Sequence, residues 1–308
     1  MRISTAMQFS NGTRSILSQQ YELQRTQDQL SSGRRMLSPS DDPIAALNAL
    51  EVLQAKGVNE QYLANQSTSL SALTALESTL GSLGDQLVNI RVSATEAQGK
   101  APGAMQLNIV AEDLKQRLNS IVDMANTKDA QGNYVFSGFQ AGVKPIELDA
   151  GSGQYEYQGD QGQVSIQVAP SINMVVAENG DDLFMRVRDA QGQVLGKSVF
   201  QTVQDTITQL ESGAAFDNTA FATNLAEIDA AINHLLNART SVGARLNTLE
   251  SLQINSEDMD YQHSVRLSEL QDLDYTEAIS RFARYQTQLE ATQITFKQVT
   301  QLSLFNLL

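Results

Sequence analysis

Apolar residues recur every seven positions near the start of this chain, at Phe9, Ile16, Leu23, Leu30 and Leu37. Near its end Tyr275, Ala278, Phe282, Tyr285, Leu289, Thr292, Phe296 and Val299 step by threes and fours. Such a repeat marks a helix whose narrow apolar seam is set into a partner helix. Chain ends are usually frayed and polar, so seams running close to both termini predict an assembly that covers them. The plainer alternative is a helix pair buried within one monomer, which explains the pairing but not the reach of the seams.

Composition narrows the classes. The 308 residues, 41% of them apolar, suit two domains or one elongated one. The net charge of -14 is uneven: residues 1–56 hold six Lys/Arg against five Asp/Glu, so all the acidity falls in the remainder. No basic stripe offers a surface to nucleic acid, and no stretch approaches the ~18 apolar residues of a membrane span. With no cysteine, disulfides, thiolate metal sites and thiol nucleophiles are excluded together. The segment MRISTAMQFSNGTRSILSQQ has no signal-peptide core, so any export is expected to use a route that cleaves nothing.

The pattern along the chain predicts a mainly α protein with a β-rich insert: an elongated stem of long helices with terminal coiled-coil arms. The N-terminal arm spans 1–42, read as one helix to Leu37 and loosened at Ser31-Ser32-Gly33. Asp41 or Asp42 can cap a new helix that has Pro43 at its first position. The outgoing stem, 43–130, holds a helix to about Gln98, about 80 Å long at ~1.5 Å per residue, then a return helix from Met105 to Thr127. In the insert, 131–197, the period turns to alternation. Gly159-Asp160-Gln161-Gly162 and Asp189-Ala190-Gln191-Gly192 are each expected to turn a hairpin, and Met174, Val175 and Val176 suggest a further strand. The returning stem is 198–259. The C-terminal arm, 260–308, starts its helix at about Asp260.

No catalytic, cofactor or metal site is expected. His234 and His263 have no partner at metal-ligand spacing. Glu257, Asp258 and Asp260 lack the alternating ligands of a calcium loop and, like Asp272 and Asp274, are read as a solvated helix face. Asp41-Asp42 is better explained by capping than by acid–base chemistry, which needs opposed carboxylates. The expected site is instead an assembly interface of Phe9, Ile16, Leu23, Leu30, Tyr275, Phe282, Tyr285, Leu289, Phe296, Val299, Leu302 and Phe305. Burying one such side chain contributes about 1.5–3 kcal/mol, against ~1–2 kcal/mol to fix each backbone residue. Arms covered on one side are therefore expected to be mobile in the monomer and to order on assembly.

Leu30-Ser31-Ser32-Gly33-Arg34-Arg35 with Ser40-Asp41-Asp42-Pro43 resembles the N-terminal signature of the flagellin family. Val242-Gly243-Ala244-Arg245-Leu246-Asn247 and Asp272-Leu273-Asp274-Tyr275-Thr276-Glu277-Ala278 resemble its C-terminal counterpart. Three features set the chain apart from flagellins themselves: the start Met1-Arg2-Ile3-Ser4-Thr5, Gly132-Asn133-Tyr134-Val135-Phe136-Ser137-Gly138, and the end Leu302-Ser303-Leu304-Phe305-Asn306-Leu307-Leu308. Gly180-Asp181-Asp182-Leu183-Phe184-Met185 is the one family-like segment inside the insert. The resemblance implies a secreted structural subunit of the bacterial flagellum, exported through its type III channel. It implies a ring of subunits at the hook–filament junction, contacting hook-associated protein 1 on one side and flagellin on the other, with an export chaperone holding the C-terminal arm beforehand. In that ring Phe282, Leu289 and Phe296 would be knobs facing Leu23 and Leu30. The alternative is flagellin, the filament subunit itself.

Overall fold

The computed structural model describes residues 2–99, 103–189, 191–212 and 217–305. Helices α1 (Arg2–Ser32), α2 (Pro43–Gly99) and α3 (Ala104–Ala125) precede strands β1 (Ile146–Leu148), β2 (Tyr155–Tyr157), β3 (Ser165–Ala169) and β4 (Ile172–Val175). Helices α4 (Val199–Glu211), α5 (Asn218–Gln271) and α6 (Tyr275–Phe305) complete the chain. It divides into two units, one of Met1–Glu60 with Asp258–Leu308 and the other of Gln61–Glu257.

The second unit is built on heptads. On α2 the buried set Leu73, Leu76, Leu80, Leu83, Leu87, Ile90, Ala94 and Ala97 alternates threes and fours, while α5 buries Phe221, Ile228, Leu235, Val242 and Leu249, each seven apart. Polar pairs give the direction: Gln66 donates to Ser256 Oγ (3.0 Å), Arg239 to Glu77 (2.7 Å) and Arg91 to Asp229, so residue numbers rise on α2 as they fall on α5. The two helices are antiparallel, and Ala111, Leu114, Leu118 and Ile121 of α3 join the same core.

The insert extends that core through Phe136, Ile146, Val168, Phe184 and Phe200. Phe184 meets Phe136 edge-on at 5.2 Å and Phe200 at 5.6 Å, separations at which aromatic pairs attract beyond their area burial. Its strand pairing departs from expectation. β2 pairs with β1 and β3 with β4, both antiparallel, so Gly159–Gly162 joins no hairpin. Asp160 is the cause. Its Oδ1 accepts the amides of Phe139 and Gly162, each at 2.8 Å, and its carbonyl lies 2.8 Å from the Tyr157 hydroxyl. The Phe139 bond, with Asp160 N–H donating to the Ser137 carbonyl (3.2 Å) and the Tyr157 hydroxyl to that of Phe136 (2.9 Å), ties the segment back to residues 136–139. The expected turn at 189–192 is present in its described residues: Asp189 and Gln193 are bonded and Arg188 bridges Val194.

Two helix ends also differ. α1 stops at Ser32 rather than Leu37, because Gly33 takes φ 69° and Leu37 lies beyond it, 41% exposed. α5 runs through Asp260 without a break, since residues 253–271 contain neither glycine nor proline, and ends only at Gln271.

Arg245, inside one of the family-like motifs, reaches from α5 to Glu178 (2.6 Å) and the Val175 carbonyl (3.3 Å). Arg245→Ala leaves that carboxylate and carbonyl without their cation. It is expected to lower stability by about 1–2 kcal/mol, read from urea denaturation, with proteolysis in 139–197 accelerated.

Candidate assembly interface

Within the first unit, the two family-like motifs of the chain ends meet. Gly33, with its positive φ, reverses the chain after α1. The backbone it turns is then bonded to the end of α5: Arg35 N–H donates to the Gln271 carbonyl (2.8 Å) and Leu273 N–H to the Gly33 carbonyl (3.0 Å), with Arg34 bridging Asp272. Gln29 and Arg35 side chains add bonds to the carbonyls of Arg35 (2.6 Å) and Leu270 (3.0 Å). The closure is therefore a short antiparallel splice of main chain from opposite ends of the sequence.

Capping carboxylates fix what leaves the splice. Asp42 Oδ1 accepts Ala45 N–H (3.0 Å) at the start of α2, with Pro43 as its first helical residue. Asp41 turns the other way, accepting Leu37 and Ser38 amides (3.0 and 3.1 Å) and pairing with Arg25 (2.9 Å). Asp274, read from sequence as a solvated residue, caps α6 by accepting Thr276 and Glu277 amides (2.9 and 3.1 Å). Its signal was legible: an aspartate just before an apolar-periodic run is a helix start. Backbone amides hold both Asp41 and Asp42 below the usual carboxylate range, with Arg25 and Arg35 adding to the effect.

The carboxylates once weighed for chemistry do not converge. Asp260 lies 3.7 Å from Lys56 Nζ, while Glu257 accepts from Gln253 (3.0 Å). His234 Nε2 is 2.9 Å from the Asp182 carbonyl. Among the described residues no group of three or more such side chains could hold a metal ion, and no helix is long and apolar enough to cross a membrane.

Beyond the splice, α1 and α6 lie against each other. The rings of Phe9 and Phe296 meet at 5.2 Å with planes tilted at 49°, and Gly33 sits by the Tyr275 hydroxyl, so the pair is antiparallel. Of the expected interface residues, Ile16, Leu23, Leu30, Phe282, Tyr285, Leu289 and Phe296 are half-buried, whereas Phe9, Tyr275 and Val299 are exposed. Leu302 and Phe305 lie on the helical backbone of α6, but their side chains fall outside the described residues. The partner covering the half-buried seam is the chain's own other arm. Sequence reasoning missed half of the α1 seam: Gly12, Gln19 and Thr26 interleave with Phe9, Ile16, Leu23 and Leu30, and Thr26 is 3% exposed. A search for apolar residues cannot see them; the three-four spacing could have. Away from the seam Met7, Leu17 and Tyr21 of α1 and Ile279 and Ile294 of α6 remain exposed.

The model of the bacterial flagellin N-terminal helical region matches residues 3–141, and that of the C-terminal helical region matches residues 225–308. The chain belongs to the flagellin family. Within it, the chain is 28% identical over 319 residues to Flagellar hook-associated protein 3 of Escherichia coli (strain K12), covering 100% of this chain and 99% of that protein. It is 22% identical to Flagellin of Bacillus subtilis (strain 168) over 98% of this chain and 97% of the other. A putative flagellar hook-associated protein from Vibrio parahaemolyticus shares the fold, with a TM-score of 0.67 at 22% identity over 75% of this chain and 100% of that one.

Two tests address the splice. Gly33→Ala forces a side chain into the left-handed region and to 2.9 Å from Tyr275 Oη; a loss of about 1–2 kcal/mol in urea denaturation is expected, smaller for Gly33→Asn. Lowered folded pKa values mean that the Asp41 and Asp42 contribution is fully present above the ordinary ~3.9 of an aspartate and is lost as pH falls through the lowered values. Hydrogen exchange should therefore show the Leu37, Ser38 and Ala45 amides protected at neutral pH and released under acid.

Proposed function

We propose that this chain is a structural subunit of the bacterial flagellum at the hook–filament junction, joining hook-associated protein 1 to the flagellin filament. The observation that carries the reading is its end-to-end match to Flagellar hook-associated protein 3, at 28% identity against 22% for a flagellin of similar coverage. The spliced chain ends support it, because they supply the paired terminal helices through which such a subunit would meet its neighbours.

In this reading the arms, 1–42 and 260–308, form the axial contacts, and Leu289 with Phe282 and Phe296 anchors them. The stem, 43–130 and 198–259, sets the lateral spacing, and the insert, 131–197, faces outward. A seam closed on one side leaves Met7, Leu17, Tyr21, Ile279 and Ile294 in water; covering them supplies the free energy that holds subunits together. The same exposure makes a chaperone on the C-terminal arm useful before export.

The first experiment is deletion of the chain. Flagellin shed into the medium from cells that retain intact hooks supports the junction role. Hooks carrying normal filaments would sink it, and missing filaments without shed flagellin would indicate the filament subunit. Leu289→Asp places a charge in a half-buried seam position; it should leave the second unit folded, seen as an unchanged main unfolding transition, while filament attachment is lost.

A further inference from the structure

Gly12 of α1 and Gly33, just past its end, each lie against an aromatic side chain of α6. A Cβ on Gly12 would stand 2.5 Å from Phe296 Cδ2, and one on Gly33 would stand 2.9 Å from Tyr275 Oη. Both pairs are twenty-one residues apart, Gly12 to Gly33 along α1 and its C-terminal cap and Tyr275 to Phe296 on α6. That is three heptads, so the spacing in between sets Gln19 against Leu289 and Thr26 against Phe282. The alternate layers set Leu30 against Ala278, Leu23 against Tyr285 and Ile16 against Thr292. Large residues of one arm thus meet small or polar residues of the other in every layer but that of Leu23 and Tyr285.

We propose that this alternation selects one antiparallel register for the arms, with Gly12 and Phe296 as its pin at the end remote from the splice. Gly12 is a positioning residue. Helix propensity alone favours alanine over glycine within a helix, so the glycine answers a need of packing rather than of local structure. The ring also packs against Phe9, centroids 5.2 Å apart and planes tilted at 49°. A slip of one heptad either sets Phe296 against Gln19 and leaves the Gly12 notch empty, or draws Tyr275 away from Gly33. The consequence for assembly rests on the junction reading: one register presents one outer surface to neighbouring subunits, where a slipped pair would present another.

The chain has no cysteine, so introduced pairs report register without background. Ile16→Cys with Thr292→Cys is the in-register pair, and Ile16→Cys with Tyr285→Cys is its one-heptad slip. In the purified full-length chain under mild oxidant, the first should cross-link roughly tenfold faster or more, since disulfides tolerate little separation. Gly12→Ala should reduce it toward the slipped rate, and adding Phe296→Ala should restore it. Equal rates for the two pairs, no effect of Gly12→Ala, or no rescue by Phe296→Ala would each overturn the proposal. Cross-linking reads the arms of the single chain, so it is independent of the deletion test. Correct register in a chain whose deletion leaves filaments attached would refute the junction reading alone.

Discussion

Everything in the first unit hangs on two main-chain bonds. Arg35 N–H to the Gln271 carbonyl and Leu273 N–H to the Gly33 carbonyl join segments more than 230 residues apart in sequence. They occur where α1 and α5 end, and they give the last carbonyl of α5, on Gln271, a partner across the junction. From that point α1 and α6 have no freedom to choose separate directions, and α2 departs along the course that Asp42 and Pro43 set. The helices are long and simple; the turn between them carries the information.

Much of this was legible in the linear pattern. The three-four repeats predicted the arm helices α1 and α6, helical spacing predicted the long α2, and Asp42-Pro43 predicted the start of α2 to the residue. What stayed hidden had physical causes. Gly12, Gln19 and Thr26 are seam residues chosen for smallness or polarity, so a hydrophobic search passed over them. Gly159–Gly162 has the composition of a hairpin turn, yet Asp160 Oδ1 also accepts the amide of Phe139, 21 residues away, and tertiary context overrode the local signal. The last helix is expected from about Asp260, but no glycine or proline between 253 and 271 ends α5 there, and it continues to Gln271.

The acidic residues illustrate the same point in electrostatic terms. Asp41, Asp42, Asp149, Asp160 and Asp274 each accept main-chain amides at turns or helix starts. Carboxylates used this way hold backbone in place. They are scattered along the chain because turns are scattered, which is why no pair of them lies opposed across a cleft. In Lys115 the converse appears: bonds to Glu211 and Glu112 raise its pKa to about 12, so it keeps its charge and bridges α3 to α4.

The polar layers of the arm seam have a mechanical meaning. Gln19 Oε1 is buried with no hydrogen-bond partner among the described residues, and such a group subtracts from the cohesion that the leucines and phenylalanines supply. A seam of uninterrupted leucine would close tightly and stay closed. One with glycine, glutamine and threonine at alternate layers behaves as a zip fastener with weak teeth, correct in alignment and easy to part. If the chain is exported unfolded, as the family resemblance implies, arms that part and close again in one alignment are better served by such a fastener than by a weld.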